Sequence, residues 1–165
     1  MPTISDAGLS TADFDEVVRA VERLEVAANA RMTQALQQSA QLVADRAKQD
    51  HGYTDRTGAL TASVRAGQVR GTFASGLKVD MLAGARGVTY ASHVEFGTKA
   101  HVIAARRRKS LRFVQGGQTR FAKKVRHPGT PEFRFMRNAL EATLPRAEQL
   151  MDTAMELAIE ESGLI

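Results

Sequence analysis

An uninterrupted helical pattern over residues 11–50 is the feature that most constrains the fold of this chain. Apolar or small side chains recur there at intervals of three and four residues: Phe14, Val17, Val21, Leu24, Ala28, Met32, Ala35, Ser39 and Leu42. This spacing describes one stripe of an amphipathic helix. Ser10 is suited to cap its start, and Gly52 supplies a natural stop. We therefore predict a helix over residues 11–50.

The length of this helix sets a second constraint. It would be roughly 60 Å long, whereas a compact chain of 165 residues has a radius of gyration of about 15 Å. Either the helix breaks, near Asn29 where the stripe shifts phase, or it projects from the domain and is covered by another subunit. The second alternative favours an oligomer.

The residues after this helix predict strands and then a second helix. Alternating patterns place strands at 58–70, 73–83 and 87–96, and Gly116-Gly117 indicates the turn of a hairpin over residues 110–126. Thr130 is suited to the N-cap and Pro131 to the first position of a final helix, which Pro145 should kink or split.

These elements predict an α+β fold. We expect a small, mostly antiparallel β-sheet flanked by a long N-terminal helix and a C-terminal helix, with a protruding basic β-hairpin. The expected organisation is a single domain over 1–165, with the long helix at 11–50, the sheet at 56–98, the basic loop or hairpin at 99–129 and the C-terminal helix at 130–162.

Positive charge is concentrated in one segment. Between Phe96 and Pro131 there are ten basic residues and no acidic one: Lys99, Arg106, Arg107, Arg108, Lys109, Arg112, Arg120, Lys123, Lys124 and Arg126. The whole chain is +5, so the remaining residues sum to +5 minus +10, or −5. Such separation exceeds what a solvated surface needs and predicts a contact surface. Its partner is either nucleic acid phosphate or an acidic protein surface.

Catalytic and metal-binding patterns are weak. In the predicted 90–96 strand, His93 and Glu95 fall on the same face, where an acid–base pair or two metal ligands could lie. A structural hydrogen bond between them is the more ordinary interpretation. The chain has no Cys, and no hydrolase or nucleotide-binding motif is present. We expect no enzyme activity, no metal and no cofactor.

Nothing in the sequence predicts export or membrane insertion. The N-terminal residues lack the basic and apolar regions of a signal peptide, and no segment approaches the roughly 20 apolar residues of a membrane span. We expect synthesis in the cytoplasm and no membrane partner.

Three short motifs carry a resemblance to a known family. They are Arg56-Thr57-Gly58-Ala59-Leu60-x-x-Ser63-Val64, then Tyr90-Ala91-x-x-Val94-Glu95-Phe96-Gly97-Thr98, then the end of the basic segment at His127-Pro128-Gly129-Thr130. In this order, over roughly residues 50–145, the chain resembles the neck and tail-completion proteins of long-tailed bacteriophages (siphophages).

The resemblance implies a structural virion protein, made in the bacterial host, at the head-to-tail junction. It would form a homo-oligomeric ring, expected to be a hexamer, between the capsid portal and the tail tube, as a stopper, an intermediate neck ring or a tail terminator. Its partners would be adjoining connector or tail-tube proteins, with packaged DNA as a further contact. The alternatives are a non-sequence-specific nucleic-acid-binding protein that uses the basic hairpin, and a hydrolase that uses His93 and Glu95.

Overall fold

The computed structural model describes residues 11–106 and 109–164. Within these ranges the chain forms, in order, α1 (Thr11–Gln49), α2 (Ala59–Ser63), β1 (Arg65–Ala66), β2 (Met81–Leu82), α3 (Ala91–Phe96), β3 (His101–Ala104), β4 (Leu111–Gln115), β5 (Gln118–Ala122), β6 (Lys124–His127) and α4 (Phe135–Ser162). The predicted α+β class is confirmed, with small antiparallel sheets between a long N-terminal and a C-terminal helix. None of the described helices is both long and apolar enough to span a membrane.

The two long helices pack against each other in antiparallel orientation. Near the C-terminal end of α4, Arg23 Nε donates to the Ser162 carbonyl oxygen (3.0 Å), and Arg31 forms an ion pair with Glu161. The predicted first helix is confirmed, and it runs through Asn29 without the break that we considered. Helix α1 needs no break because α4 covers most of the length of α1.

The contact between α1 and α4 is built mainly from alanines. Small side chains let two helix backbones approach closely, and each one buries little apolar area. This seam joins helices whose buried alanines are Ala20, Ala28, Ala35, Ala40, Ala44 and Ala47 on α1, and Ala139, Ala154 and Ala158 on α4; Ala44, Ala47 and Ala139 among them belong to the core of larger side chains.

Only part of the apolar stripe predicted for α1 faces this seam. Ala28, Ala35 and Ser39 are buried, whereas Phe14 and Val17 are exposed by 65% and 51%. Because α4 ends beside Arg23, the first turns of α1 extend beyond the helix that covers the rest.

Larger side chains form one core at the other end of the helix pair. Tyr53, Leu60, Val64 and Phe135 are buried there with the C-terminal part of α1. The rings of Tyr53 and Phe135 meet edge to face, with their centroids 5.2 Å apart. This core joins the two long helices to the short elements between them.

The sheet predicted over residues 56–98 is wrong in its extent, since only short antiparallel pairing forms there. The segment forms the one-turn helix α2, the two-residue pair β1–β2 and the helix α3. Beyond this short pairing, its backbone also bonds to α1 side chains: Gln37 Nε2 donates to the Gly67 carbonyl oxygen (3.0 Å), and Asn29 Oδ1 accepts from Phe73 N (3.0 Å). Side-chain amides of α1 thus replace part of the expected sheet.

The predicted 87–96 strand is also wrong, since residues 91–96 form α3. Ala91 and Glu95 are buried while His93 between them is exposed. A four-residue interval lies on one face of both a helix and a strand, so a segment this short is ambiguous. The structure shows the helical alternative.

The C-terminal helix begins later than predicted and is not split. Thr130 pairs with Thr98 as a β-bridge, which keeps the backbone extended there. The helix therefore begins at Phe135, and Arg134 rather than Thr130 occupies the N-cap position with φ of 50°. It then continues through Pro145 to Ser162 as one helix.

We predict that Ala158→Leu destabilises the fold, because Ala158 is fully buried in the seam and the added atoms would force the helices apart. Overpacking of this kind lowers the free energy of unfolding by about 1–3 kcal/mol. The matched control is Ala142→Leu, the same change at an exposed position of α4, where an effect within about 0.5 kcal/mol is expected. Equal stability of the two variants in urea denaturation would show that the seam is loosely packed.

Candidate functional site

The basic segment, residues 99–127, forms in its described part an arm of two consecutive antiparallel ribbons. In the first, β3 pairs with β6 from His101↔His127 to Ala104↔Lys124. In the second, β4 pairs with β5, as the predicted hairpin required, and Gly116 and Gly117 form the turn with φ of 58° and 78°. We call residues 99–127 the basic arm.

The described part of the basic arm has no buried residue. All of its cations there are exposed, namely Lys99, Arg106, Lys109, Arg112, Arg120, Lys123, Lys124 and Arg126, while Arg107 and Arg108 lie outside the described residues. Among the described residues, none of the eight has a carboxylate within ion-pair distance. Their charge is therefore available to a partner.

Apolar side chains are also exposed on the arm. Val102 is 63% exposed, Val114 69% and Phe121 66%. The register places Phe121 directly opposite Arg112, with Val114 two residues along on the same face. The basic arm thus presents cations and apolar groups together, a combination that the sequence analysis did not single out.

Two of the family motifs meet at the base of the arm. Thr98 N donates to the Thr130 carbonyl oxygen (3.0 Å) and Thr130 N to the Thr98 carbonyl oxygen (3.1 Å), with the two Oγ1 atoms 2.9 Å apart. A Cβ at Gly97 would lie 2.6 Å from the Thr130 carbonyl oxygen, and one at Gly129 would lie 2.2 Å from that of Thr98. Both positions need glycine, because they combine this close approach with a positive φ.

Glu95 fixes this base to the start of α4. It is 9% exposed, and its Oε2 and Oε1 atoms accept from the backbone amides of Met136 (3.0 Å) and Arg137 (3.2 Å). Its carbonyl oxygen accepts from Arg134 N (3.1 Å). A carboxylate that satisfies the free amides of a helix N-terminus also interacts favourably with the helix dipole.

The pair of His93 and Glu95 expected on one sheet face does not form. In the helix α3 two residues separated by two positions do not face each other, and the Glu95 carboxylate is bonded to α4 while His93 is exposed. The prediction of neighbouring His and carboxylate groups is wrong. The hydrolase alternative required these two groups to be neighbours, so the structure gives it no geometric support.

The motif at Arg56, Thr57 and Gly58 starts α2. Gly58 takes the N-cap position with φ of 68°, and both Thr61 N and Thr61 Oγ1 donate to Asp55 Oδ2 at 2.8 Å. Both bonds lower the pKa of Asp55 below its usual value, and the bond from the Thr61 backbone amide has the larger effect. The two hydrogen bonds therefore stabilise the fold at neutral pH, and this contribution is lost only as the pH falls below the ordinary Asp range.

A cleft of about 430 Å³ separates this loop from α3. Arg56 and Asp55 lie on one side of it, and Tyr90 and Phe133 on the other. The side chains of Arg56, Thr57 and Tyr90 are exposed, as is Phe96 beyond the cleft by 75%. The first two motifs thus border one concave surface, while His127 and Pro128 lie at the end of the arm.

A protein-family comparison identifies the chain. A family model described as "Bacteriophage HK97-gp10, putative tail-component" matches residues 15–97, about half of the sequence. The chain belongs to this HK97-gp10-like family of phage tail components. No curated protein and no solved structure matches it.

The family match confirms the resemblance to phage tail-completion proteins, but it covers residues 15–97 and not residues 50–145. The matched segment of this HK97-gp10-like protein covers α1 and the motifs at residues 56–58 and 90–97, and it ends where the basic arm begins. It therefore includes α1, which the resemblance over residues 50–145 did not use. A phage tail component is a protein of the virion, and it interacts with other phage structural proteins.

We predict that Glu95→Gln lowers stability, because an amide NH₂ group would be turned toward a backbone N–H at the start of α4. Loss of a buried partner at such a position costs about 1–3 kcal/mol. The control is Glu141→Gln, an exposed carboxylate of α4 that lies 3.9 Å from Arg137, for which a loss below about 1 kcal/mol is expected. Chemical denaturation measures both, and an unchanged unfolding midpoint for Glu95→Gln would show that the carboxylate does not hold the helix.

Proposed function

We propose that this chain is a ring-forming subunit of the head-to-tail connector in a siphophage-like virion, as a neck, tail-completion or tail-terminator protein. The observation that carries the proposal is the basic arm, whose eight described cations are exposed and without an ion pair among the described residues, on a chain whose other residues are net acidic. An arm of this kind reaches beyond its own domain. It is suited to joining one subunit or one ring to the next.

The size of the exposed surface supports assembly. The chain exposes 12505 Å², whereas a compact monomer of its mass would expose about 8,000 Å². An isolated two-stranded ribbon is also only marginally stable in water. Both features indicate that surfaces of this chain are covered by neighbouring molecules.

The start of α1 supplies a second assembly surface. Phe14, Val17, Val18 and Val21 follow a three-and-four spacing, and each is exposed by more than 40%. They precede Arg23, the point where α4 ends. An uncovered apolar face on a projecting helix is typical of a subunit contact, which is the role expected for a helix that its own domain does not fully cover.

We infer a closed ring because repeated contacts between different surfaces of identical subunits form a ring where the rotation closes, and the family resemblance implies such a ring. Six copies would match the axial symmetry that the family resemblance implies. The remaining partners would be the adjoining connector or tail-tube proteins above and below the ring, and DNA in its channel.

A nucleic-acid-binding role is the second candidate, supported by the ten cations without an acidic neighbour. Phosphate contacts use charge and leave exposed apolar groups without a partner. The exposed Val102, Val114 and Phe121 on the same arm therefore favour a protein surface. DNA binding by the isolated chain, with an affinity that falls steeply as salt rises, would favour the second candidate.

We predict that inverting the charge of Arg106, Arg107, Arg108 and Lys109 to Glu stops head-to-tail joining. Like charges opposed at an interface cost several kcal/mol, whereas exposed charges shift fold stability by only about 0.5 kcal/mol. Electron microscopy of the encoding phage should show DNA-filled heads and separate tails.

The control variant exchanges the same residues without changing charge, with Lys for each Arg and Arg for Lys109, and should yield infectious particles. Normal infectivity of the Glu variant would mean that this part of the arm is a solvated surface. Thermal unfolding of both variants checks that the fold is retained.

A further inference from the structure

A row of carboxylates follows one side of the C-terminal half of α4. Glu148, Asp152, Glu156 and Glu160 recur at four-residue intervals, and all four side chains are exposed. Residues at this spacing form a continuous ridge on a helix surface. The row is about 18 Å long, and no Lys or Arg occurs between residues 147 and 165. We call these four residues the acidic ridge.

The acidic ridge is unpaired within its own chain. The ion pairs of α4 use Glu141 with Arg137 and Glu161 with Arg31. Among the described residues, no cation lies within ion-pair distance of the four ridge carboxylates. Like charges four residues apart repel each other, and carboxylates near a helix C-terminus oppose its dipole. These interactions within α4 therefore disfavour the ridge. An opposing row of cations would offset the repulsion between its carboxylates.

The basic arm of the same sequence carries such a row. Lys124 and Arg126 lie on one face of β6, opposite Ala104 and Val102 in the register. Alternate residues of a strand are about 7 Å apart, close to the roughly 6 Å between successive carboxylates of the ridge. The two cations therefore match a pair of successive ridge carboxylates in charge and in spacing.

A recess of mixed polarity lies along the same half of α4. This cleft of about 250 Å³ between α1 and α4 is lined by Leu150, Thr153 and Leu157 together with polar side chains, among them Arg31 and Arg146, and by none of the four ridge carboxylates. Val102, 63% exposed, shares the arm face of Lys124 and Arg126. Both surfaces thus combine charge with apolar contact area.

The base of the arm and the acidic ridge lie at different points along α4. The arm leaves the domain beside the N-terminus of α4, and the ridge begins about 20 Å further along this helix. No hydrogen bond joins the described residues of the arm to those of the ridge. The ridge of each molecule is therefore open to another.

We propose that the acidic ridge of one copy receives the basic arm of a second copy of this chain. The inference rests on the proposed ring and names its subunit contact. Because arm and ridge are different surfaces, the contact is head to tail, and contacts of this type generate a closed ring where the rotation between neighbouring copies closes on itself.

Single cysteines test the contact, since the natural chain has none. Ala104→Cys marks the arm face, and Thr153→Cys marks the position next to the ridge residue Asp152; both positions are exposed. Phage particles assembled from a mixture of the two variants are treated with a short bismaleimide. We expect a cross-linked pair of chains from the mixture and none from either variant alone. Ala142→Cys, exposed on α4 but outside the ridge, is the matched control and should give no cross-link with Ala104→Cys.

Charge exchange tests the same contact by function. Reversing the arm with Lys124→Glu and Arg126→Glu, or the ridge with Asp152→Lys and Glu156→Lys, should each reduce incorporation into particles by about tenfold or more. A mixture of the two variants should restore it, because alternating subunits then place opposite charges at every contact. If incorporation is restored only when both variants are mixed, the arm and the ridge bind each other and not two separate partners.

The outcomes separate this inference from the proposed function. If mass spectrometry finds no copies of the chain in purified particles, the proposed function fails. If the chain is present but the Ala104→Cys and Thr153→Cys mixture gives no cross-link, or ridge reversal leaves incorporation unchanged, only the arm-to-ridge contact is overturned. Loss of incorporation on arm reversal alone would then assign the arm to another protein or to DNA.

Discussion

The bond between the Glu95 carboxylate and the first amides of α4 is the interaction on which the arrangement of this molecule depends. It places α3 against the start of α4. Gly97 and Thr98 follow directly and meet Thr130, so the two ends of the basic arm are joined at a fixed distance from the helix pair. Glycines at positions 97 and 129 permit this closeness. An arm of exposed ribbons is thereby mounted on a rigid base.

The alanine seam between α1 and α4 explains why the same molecule needs partners. Small side chains let the long helices pack closely, but they leave little apolar area inside. Larger apolar groups such as Phe14, Val21 and Phe121 lie outside instead. The contacts that we propose for α1 and the arm would cover these exposed apolar groups.

The sequence predicted the elements whose signals are local. Helix α1 has a long periodic stripe, and the β4–β5 hairpin has a glycine pair at its turn, so both were found close to their observed positions. The start of α4 was missed because its capping carboxylate lies 41 residues away in the sequence. Helix α3 was taken for a strand because Ala91 and Glu95 fit both periods. The ten cations were recognised as a set, whereas the acidic ridge and the exposed apolar groups of the arm required the structure.

Electron cryo-microscopy of the head-to-tail junction tests the account most directly. We expect a symmetric ring of this chain. Every basic arm should cross the subunit boundary and lie along the acidic ridge of the next copy, at Glu148, Asp152, Glu156 and Glu160. Single copies, a location on the capsid surface, or arms that lie against their own α4 would contradict it.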